Sequence, residues 1–124
     1  MIERLCEYLW NLIPSNVQPR FVGEIPSQSD EGIALALGGT GTITRFFGSD
    51  TKLVDQIVVC NVRTKKFNKG TDILNTVIEA LDNYRSEQDN VLGVLLIDGD
   101  SYLGTNEEKL HEFQITFKTI VKEE

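Results

Sequence analysis

The chain has little of the chemistry that marks metal and redox proteins. Its 124 residues include two cysteines, one histidine and three prolines. Cys6 and Cys60 lie far apart and form no CxxC or CxxH spacing, so the ligand sets of zinc and redox motifs are missing. Both thiols are expected to be buried. The sequence therefore predicts no metal site and no cofactor, and it fits a protein made in a reducing cytosol.

Long apolar runs and basic residues are also scarce. Near the start of the sequence, charged residues such as Arg4 and Glu7 interrupt the apolar ones, which excludes a signal-peptide core and a membrane span of about 20 apolar residues. Twelve lysines and arginines stand against 19 aspartates and glutamates, which gives a formal charge of -7. Phosphate affinity depends on clustered cations, so a general nucleic-acid binder is disfavoured. The one basic run, residues 63–69, is interpreted as a solvated loop.

Motifs that carry catalysis or ligand binding are incomplete. Gly38-Gly39-Thr40-Gly41-Thr42 lacks the lysine of a phosphate loop and opens no helix, so it is interpreted as a flexible connection. Asp98 and Asp100 resemble the start of a calcium loop, but the glycine and the glutamate required at its sixth and twelfth positions are missing. His111 has no serine or cysteine partner in a recognised motif. No catalytic residue is predicted.

The apolar pattern that is present predicts two helices and five strands. The strongest signals are a β-branched central strand, an amphipathic helix after a polar loop at residues 63–70, and a last strand with strict alternation. The predicted helices span residues 2–13 and 72–84, and the predicted strands span residues 20–25, 32–37, 57–62, 91–97 and 113–121, with a turn at residues 98–104. The expected fold is a single α+β domain over residues 1–124, a mostly antiparallel sheet of about five strands with two helices packed on one face. The core residues predicted from these patterns are Val59, Val62, Ile78, Leu81, Phe113, Ile115 and Phe117.

Three local features resemble the tail terminator, or minor capsid, proteins of long-tailed bacteriophages and prophages. They are the Gly38-Gly39 pair after a strand, the strand ending at Val62-Arg63 before a polar turn and a helix, and Tyr102-Leu103-Gly104 leading through acidic residues into the last strand. The resemblance implies a non-enzymatic protein that forms a ring, a hexamer in that family, at the head-proximal end of the tail tube. Such a ring stops tube growth and contacts the tail tube protein and the head-closure proteins.

Thr42, Phe46 and Phe47 are the candidate interface residues. They lie in a stretch, residues 38–52, that is predicted to be a long loop, and two adjacent phenylalanines would be costly to leave in water. The alternative is that both rings fold back into the domain's own core. The resemblance further implies a host-cytoplasmic protein that later resides in the virion, and an acidic wall suits a ring through which DNA passes. A neck or head-closure protein, and a small cytosolic enzyme or ligand-binding α+β domain, remain alternative functions.

Overall fold

The computed structural model describes residues 4–45, 48 and 50–123, and for residues 99–101 it describes the backbone alone. The elements follow in the order α1 (Leu5–Trp10), β1 (Arg20–Val22), β2 (Gly32–Arg45), β3 (Lys52–Thr64), α2 (Phe67–Leu81), β4 (Val91–Thr105) and β5 (His111–Glu123). Across these residues, no helix is long and apolar enough to cross a membrane. Two helices and five strands are the elements that the apolar pattern predicts, although several bounds differ.

The five strands form one sheet in the order β1-β2-β3-β5-β4. The short β1–β2 pair is parallel, and the β2–β3, β3–β5 and β4–β5 pairs are antiparallel. β3 lies at the centre, which agrees with its run of β-branched residues, because a strand with neighbours on both sides loses most of its contact with water. The prediction of an α+β domain with a mostly antiparallel sheet is confirmed.

Alternate residues of β3 and β5 face the helices and form the core. Val58 pairs with Phe117 and Cys60 pairs with Ile115, and all four side chains are fully buried. The helices cover this face with the buried side chains of Leu5, Leu9 and Trp10 from α1 and of Leu74, Val77 and Leu81 from α2. Both helices therefore pack on one face of the sheet, as the sequence predicts.

Five of the seven predicted core residues are buried, namely Val62, Leu81, Phe113, Ile115 and Phe117. Ile78 is half-buried and packs against the core cluster. The prediction is wrong for Val59, which is half-buried and lies outside that cluster. Val59 pairs with Thr116 on the sheet face that points away from the helices. An apolar residue type does not show which face of a strand the helices cover, and only the alternation does.

The long loop predicted over residues 38–52 is wrong, because β2 and β3 occupy all of it except residues 46–51. The antiparallel pairing continues to the ends of both strands, with two register shifts in β2. Gly38 allows close packing in this pair, since a Cβ atom there would lie 2.9 Å from a methyl group of Ile57. The glycines thus belong to a bulged strand and not to a flexible connection.

The predicted turn at residues 98–104 is also wrong, because β4 runs through it to its pairing with β5 near His111. Three register shifts after Leu96 absorb the extra residues of β4. The predicted loop at residues 63–70 is shortened in the same way, since α2 begins at Phe67. The Phe67 ring lies 5.1 Å from that of Tyr102 in an edge-to-face contact, which fixes the first turn of the helix to the sheet.

Candidate functional site

Of the predicted interface residues, the structure describes only Thr42, which lies near the far end of β2. Thr42 is exposed and lies in the strand, between two pairing positions where the register shifts. Phe46 and Phe47 lie outside the described residues. The structure therefore places Thr42 on a sheet edge, which is a surface of a different kind from the long loop that the sequence predicts.

Large exposed apolar side chains concentrate on the outer strands of the sheet. Nine such side chains occur among the described residues, and eight of them belong to β1, β2 or β4. These eight are Val22, Leu37, Ile43, Leu92, Leu95, Ile97, Tyr102 and Leu103. Scattered exposed apolar residues are ordinary, but their confinement to the outer strands indicates an interaction surface.

The outer side of β2 is covered over only part of its length. β1 pairs with residues 33–35, and the N–H of Gly23 donates to the carbonyl of Leu35 at 2.9 Å. Past this point, no described strand pairs with the outer side of β2. Residues 37–45, here named the β2 open half-edge, are all exposed. They include Leu37 and Ile43, which are 42% and 48% exposed.

The outer side of β4 is covered at the other end. The segment after α2, residues 82–86, folds along the first half of this strand. The N–H of Asn83 donates to the carbonyl of Val94 at 2.8 Å, and the N–H of Val94 donates to the carbonyl of Tyr84 at 2.9 Å. Asp82 Oδ1 accepts from the N–H of Leu96 at 2.9 Å. Beyond Leu96, residues 97–105 form the β4 open half-edge, with Ile97 and Leu103 53% and 58% exposed.

An aromatic cluster lies beside the β4 open half-edge. Tyr102 contacts the rings of Phe67, His111 and Phe113 at centroid distances of 5.1, 5.9 and 5.1 Å. Its hydroxyl group lies 2.8 Å from His111 Nδ1, which gives the histidine a structural partner. Phe67 and Tyr102 are both more than two-fifths exposed. Sequence reasoning assigned no interface role to this cluster, because its members are far apart along the chain.

Lysines of the basic run at residues 63–69 form ion pairs with nearby acidic residues. Lys69 Nζ lies 2.8 Å from Glu31 Oε1, and Lys65 Nζ lies 3.6 Å from Asp30 Oδ2. The hydrogen bond from Lys69, followed by the one from the backbone N–H of Lys65, lowers the pKa of the Glu31 carboxyl group. These lysines therefore pair with carboxylates of the same chain. The predicted solvated loop is reduced to residues 65 and 66, because Lys69 belongs to α2.

The two cysteines are buried and do not form a disulfide. Burial raises the pKa of the Cys60 thiol to about 12, and burial followed by the nearby Glu7 charge raises the pKa of the Cys6 thiol. A thiol with a raised pKa carries little thiolate near neutral pH and is a poor nucleophile. The prediction that both thiols are buried is confirmed.

Tyr8 connects α1 to the segment that covers β4. Its hydroxyl group donates to Asp89 Oδ2 at 2.8 Å and accepts from the hydroxyl group of Tyr84 at 2.7 Å. Burial, followed by the hydrogen bond with Tyr84, raises the pKa of Tyr8. The two rings also meet edge to face at 6.2 Å. This contact helps hold residues 82–86 against the sheet.

Comparison with known proteins finds a likeness of fold. No protein-family model matches the sequence, and no curated protein matches it. Among solved structures, a chain of the "Virion of native gene transfer agent (GTA) particle" matches with a TM-score of 0.58 at 13% sequence identity. The match covers 93% of this chain and 84% of that chain. At this identity the match shows that the two chains share a fold over nearly their whole length.

Proposed function

We propose that this protein is a structural component of a phage-like virion and that it acts as a tail terminator. The observation that carries the proposal is the shared fold with a chain of a gene transfer agent virion, which extends over 93% of this chain. The tail terminator role is favoured by the local features at Gly38-Gly39, Val62-Arg63 and Tyr102-Leu103-Gly104. In this role the protein forms a ring on the head-proximal end of the tail tube.

The distribution of exposed apolar side chains supports a role in assembly. A protein that works as a subunit of a ring needs two contact surfaces on each copy, one for each neighbour. The open half-edges of β2 and β4 are two such surfaces, and they lie on opposite sides of the sheet. The formal charge of -7 suits a ring that surrounds passing DNA, because like charge keeps phosphate groups from binding to the wall.

The interior of the domain supports a structural role over a small enzyme. Buried side chains from α2, such as Leu74 and Val77, pack against Val58 and Phe117 in a single cluster that fills the space between the helix and the sheet. A ligand pocket between these layers would have to displace core side chains. We propose that the protein is not an enzyme and that its partners are a second copy, the tail tube protein and the head-closure protein.

Immunogold labelling of particles tests the tail terminator role. Antibodies raised against this chain are applied to complete particles and to tails that lack heads, both from the strain that encodes the protein. We expect label at the head-tail junction and at one end of the headless tails. Label that stays with isolated heads indicates a head-closure protein instead, and the absence of the chain from washed particles contradicts the proposal.

The double substitution of Phe46 and Phe47 to Ser tests whether these residues, together with Thr42, form an assembly contact. We expect a folded variant that no longer forms rings or caps tail tubes, because the apolar contact proposed for the two phenylalanines is lost. Val22→Ser is the matched control, since Val22 is exposed on the short β1 strand. Unfolding of the double variant, or normal assembly, would contradict the contact.

A further inference from the structure

The two open half-edges match each other in length and direction. Each contains nine residues, 37–45 in β2 and 97–105 in β4. β2 is antiparallel to β3, β3 to β5 and β5 to β4, so β2 and β4 run in opposite directions in the sheet. When two copies stand side by side with the same orientation, β4 of one copy faces β2 of the next as an antiparallel neighbour.

We propose that the β4 open half-edge of one copy packs antiparallel on the β2 open half-edge of a second copy. These two half-edges would be the surfaces that join neighbouring subunits of the ring. The inference that the copies close into a ring rests on the proposed function. Exposed strand edges present backbone donors and acceptors that a second chain can satisfy. The bulges in both half-edges interrupt a continuous ladder, so short runs of backbone pairing combine with packing of apolar side chains.

Charge favours the pairing of unlike edges. Residues 37–45 contain Arg45 and no acidic residue, whereas residues 97–105 contain two aspartates and no basic residue. Full antiparallel overlap brings Arg45 at the end of one half-edge to Ile97 and Asp98 at the start of the other. Antiparallel pairing of two β4 half-edges, or of two β2 half-edges, offers no contact between opposite charges.

Each half-edge ends at a local barrier that fixes the overlap. On β2, pairing with β1 ends at Leu35, and on β4 the hydrogen bonds from residues 82–86 end at Leu96. The half-edges lie at opposite ends of the sheet, since Arg45 pairs with Lys52 and Thr105 pairs with His111. Because of its bulges, the β2 half-edge spans only residues 52–58 of β3. Successive copies are therefore displaced along the strands by about 20 Å, taking roughly 3.3 Å per residue. In a closed ring, tilted strands absorb such a displacement, as they do in a barrel.

Because the two surfaces differ, the contact is head-to-tail and repeats from copy to copy. This property gives a sharp test with two variants, Ile43→Asp on β2 and Leu103→Asp on β4. Both side chains are about half exposed, so each variant is expected to keep its fold. Leu92→Asp is the matched control, because Leu92 lies on β4 beside the covered half of the strand.

Sedimentation velocity of the full chain is the measurement. We expect wild type and Leu92→Asp to assemble alike, and each half-edge variant alone to remain a monomer up to about 1 mM, the range in which weak association is detectable. An equimolar mixture of the two half-edge variants retains one intact pair of surfaces. It should form a 1:1 dimer and nothing larger, whereas a like-with-like contact gives no dimer of this kind.

Three results would overturn the contact: assembly of either half-edge variant as wild type, no 1:1 dimer in the mixture, or a monomeric wild type at about 1 mM. Leu37→Asp and Ile97→Asp serve as the second pair if circular dichroism shows that a first variant is unfolded. The failure of this contact differs from the failure of the proposed function. Rings that form independently of both half-edges leave the virion role intact, and only absence from the labelled particles removes it.

Discussion

Gly70→Ala provides a test of the packing between α2 and the sheet. Gly70 is buried in the first half of α2, and an added Cβ atom there would lie 2.7 Å from Cζ of Phe113 and closer still to its Cε1. Phe113 is 2% exposed and has the rings of Phe67 and Tyr102 at 5.5 and 5.1 Å. These neighbouring rings limit how far the Phe113 ring can move away from the added Cβ atom.

Two opposing effects decide how much Gly70→Ala changes the free energy of unfolding. In an exposed helix, replacing glycine by alanine stabilises the fold by about 0.5–1 kcal/mol through reduced backbone entropy. Overpacking a filled core costs about 1–3 kcal/mol. We therefore expect Gly70→Ala to lower the free energy of unfolding by about 1–2 kcal/mol, with a fall in Tm on the order of 5 °C for a domain of this size.

Urea unfolding followed by circular dichroism measures the effect, and Phe113→Leu completes a double-mutant cycle. In the Phe113→Leu background the obstructing ring is gone, so Gly70→Ala should be neutral or stabilising. Gly39→Ala is the control, since a Cβ atom at Gly39 has nothing within 4 Å. A Gly70→Ala variant as stable as wild type, with no coupling to Phe113, would refute the close contact between the helix and the strand.

Three further predictions concern the core, an ion pair and ligands. Leu81→Ala or Phe117→Ala should each lower the free energy of unfolding by about 2–5 kcal/mol, because both side chains are fully buried, and wild-type-like melting of both variants would contradict the fold. Glu31→Gln should destabilise the protein at pH 7, because the Glu31 pKa is lowered on folding. The difference from wild type should disappear as the pH falls through the folded pKa, and a difference that persists unchanged in urea melts at strongly acidic pH would contradict a role for the carboxylate charge. Nucleotides, Ca²⁺ and Zn²⁺ should leave Tm unchanged in a thermal shift assay, and a reproducible rise of several degrees would favour a ligand-binding domain.

The parts of the fold that the sequence predicts well are the elements with one solvent-exposed face and one buried face. β5 alternates strictly because one side packs on the helices and the other meets water, and the sequence predicts its position within two residues at each end. The stripe of α2 at Leu74, Val77 and Leu81 is readable for the same reason. The start of α2 at Phe67 cannot be predicted in this way. The first turn of the helix is fixed by the rings of Tyr102 and Phe113, which come from strands later in the chain.

The outer halves of β2 and β4 escape sequence prediction because local turn signals and long-range pairing disagree. Glycines 38, 39 and 41 and the aspartates after Ile97 indicate a chain that leaves the sheet. Pairing with β3 and β5 overrides this preference, and bulges absorb the mismatch. The interface role of Thr42 therefore stays a prediction, and no sequence pattern indicates the β4 open half-edge. That half-edge exists only because residues 82–86 stop covering the strand at Leu96.

The position of β3 in the sheet also has a kinetic consequence. β3 meets β2 across a short hairpin, but its second partner, β5, follows only after α2 and β4 have been added to the chain. The entropic cost of closing such a long loop arises before the β3–β5 pairing can stabilise the fold. This topology is therefore expected to fold more slowly than a helical domain of equal size. Until β5 has been synthesised and has paired with β3, both outer sides of the β2–β3 hairpin are unpaired except where β1 covers β2. Newly made chains at high concentration should then be most prone to associate wrongly at this stage, so coexpressed chaperones should increase the soluble yield more than they increase the stability of the finished protein.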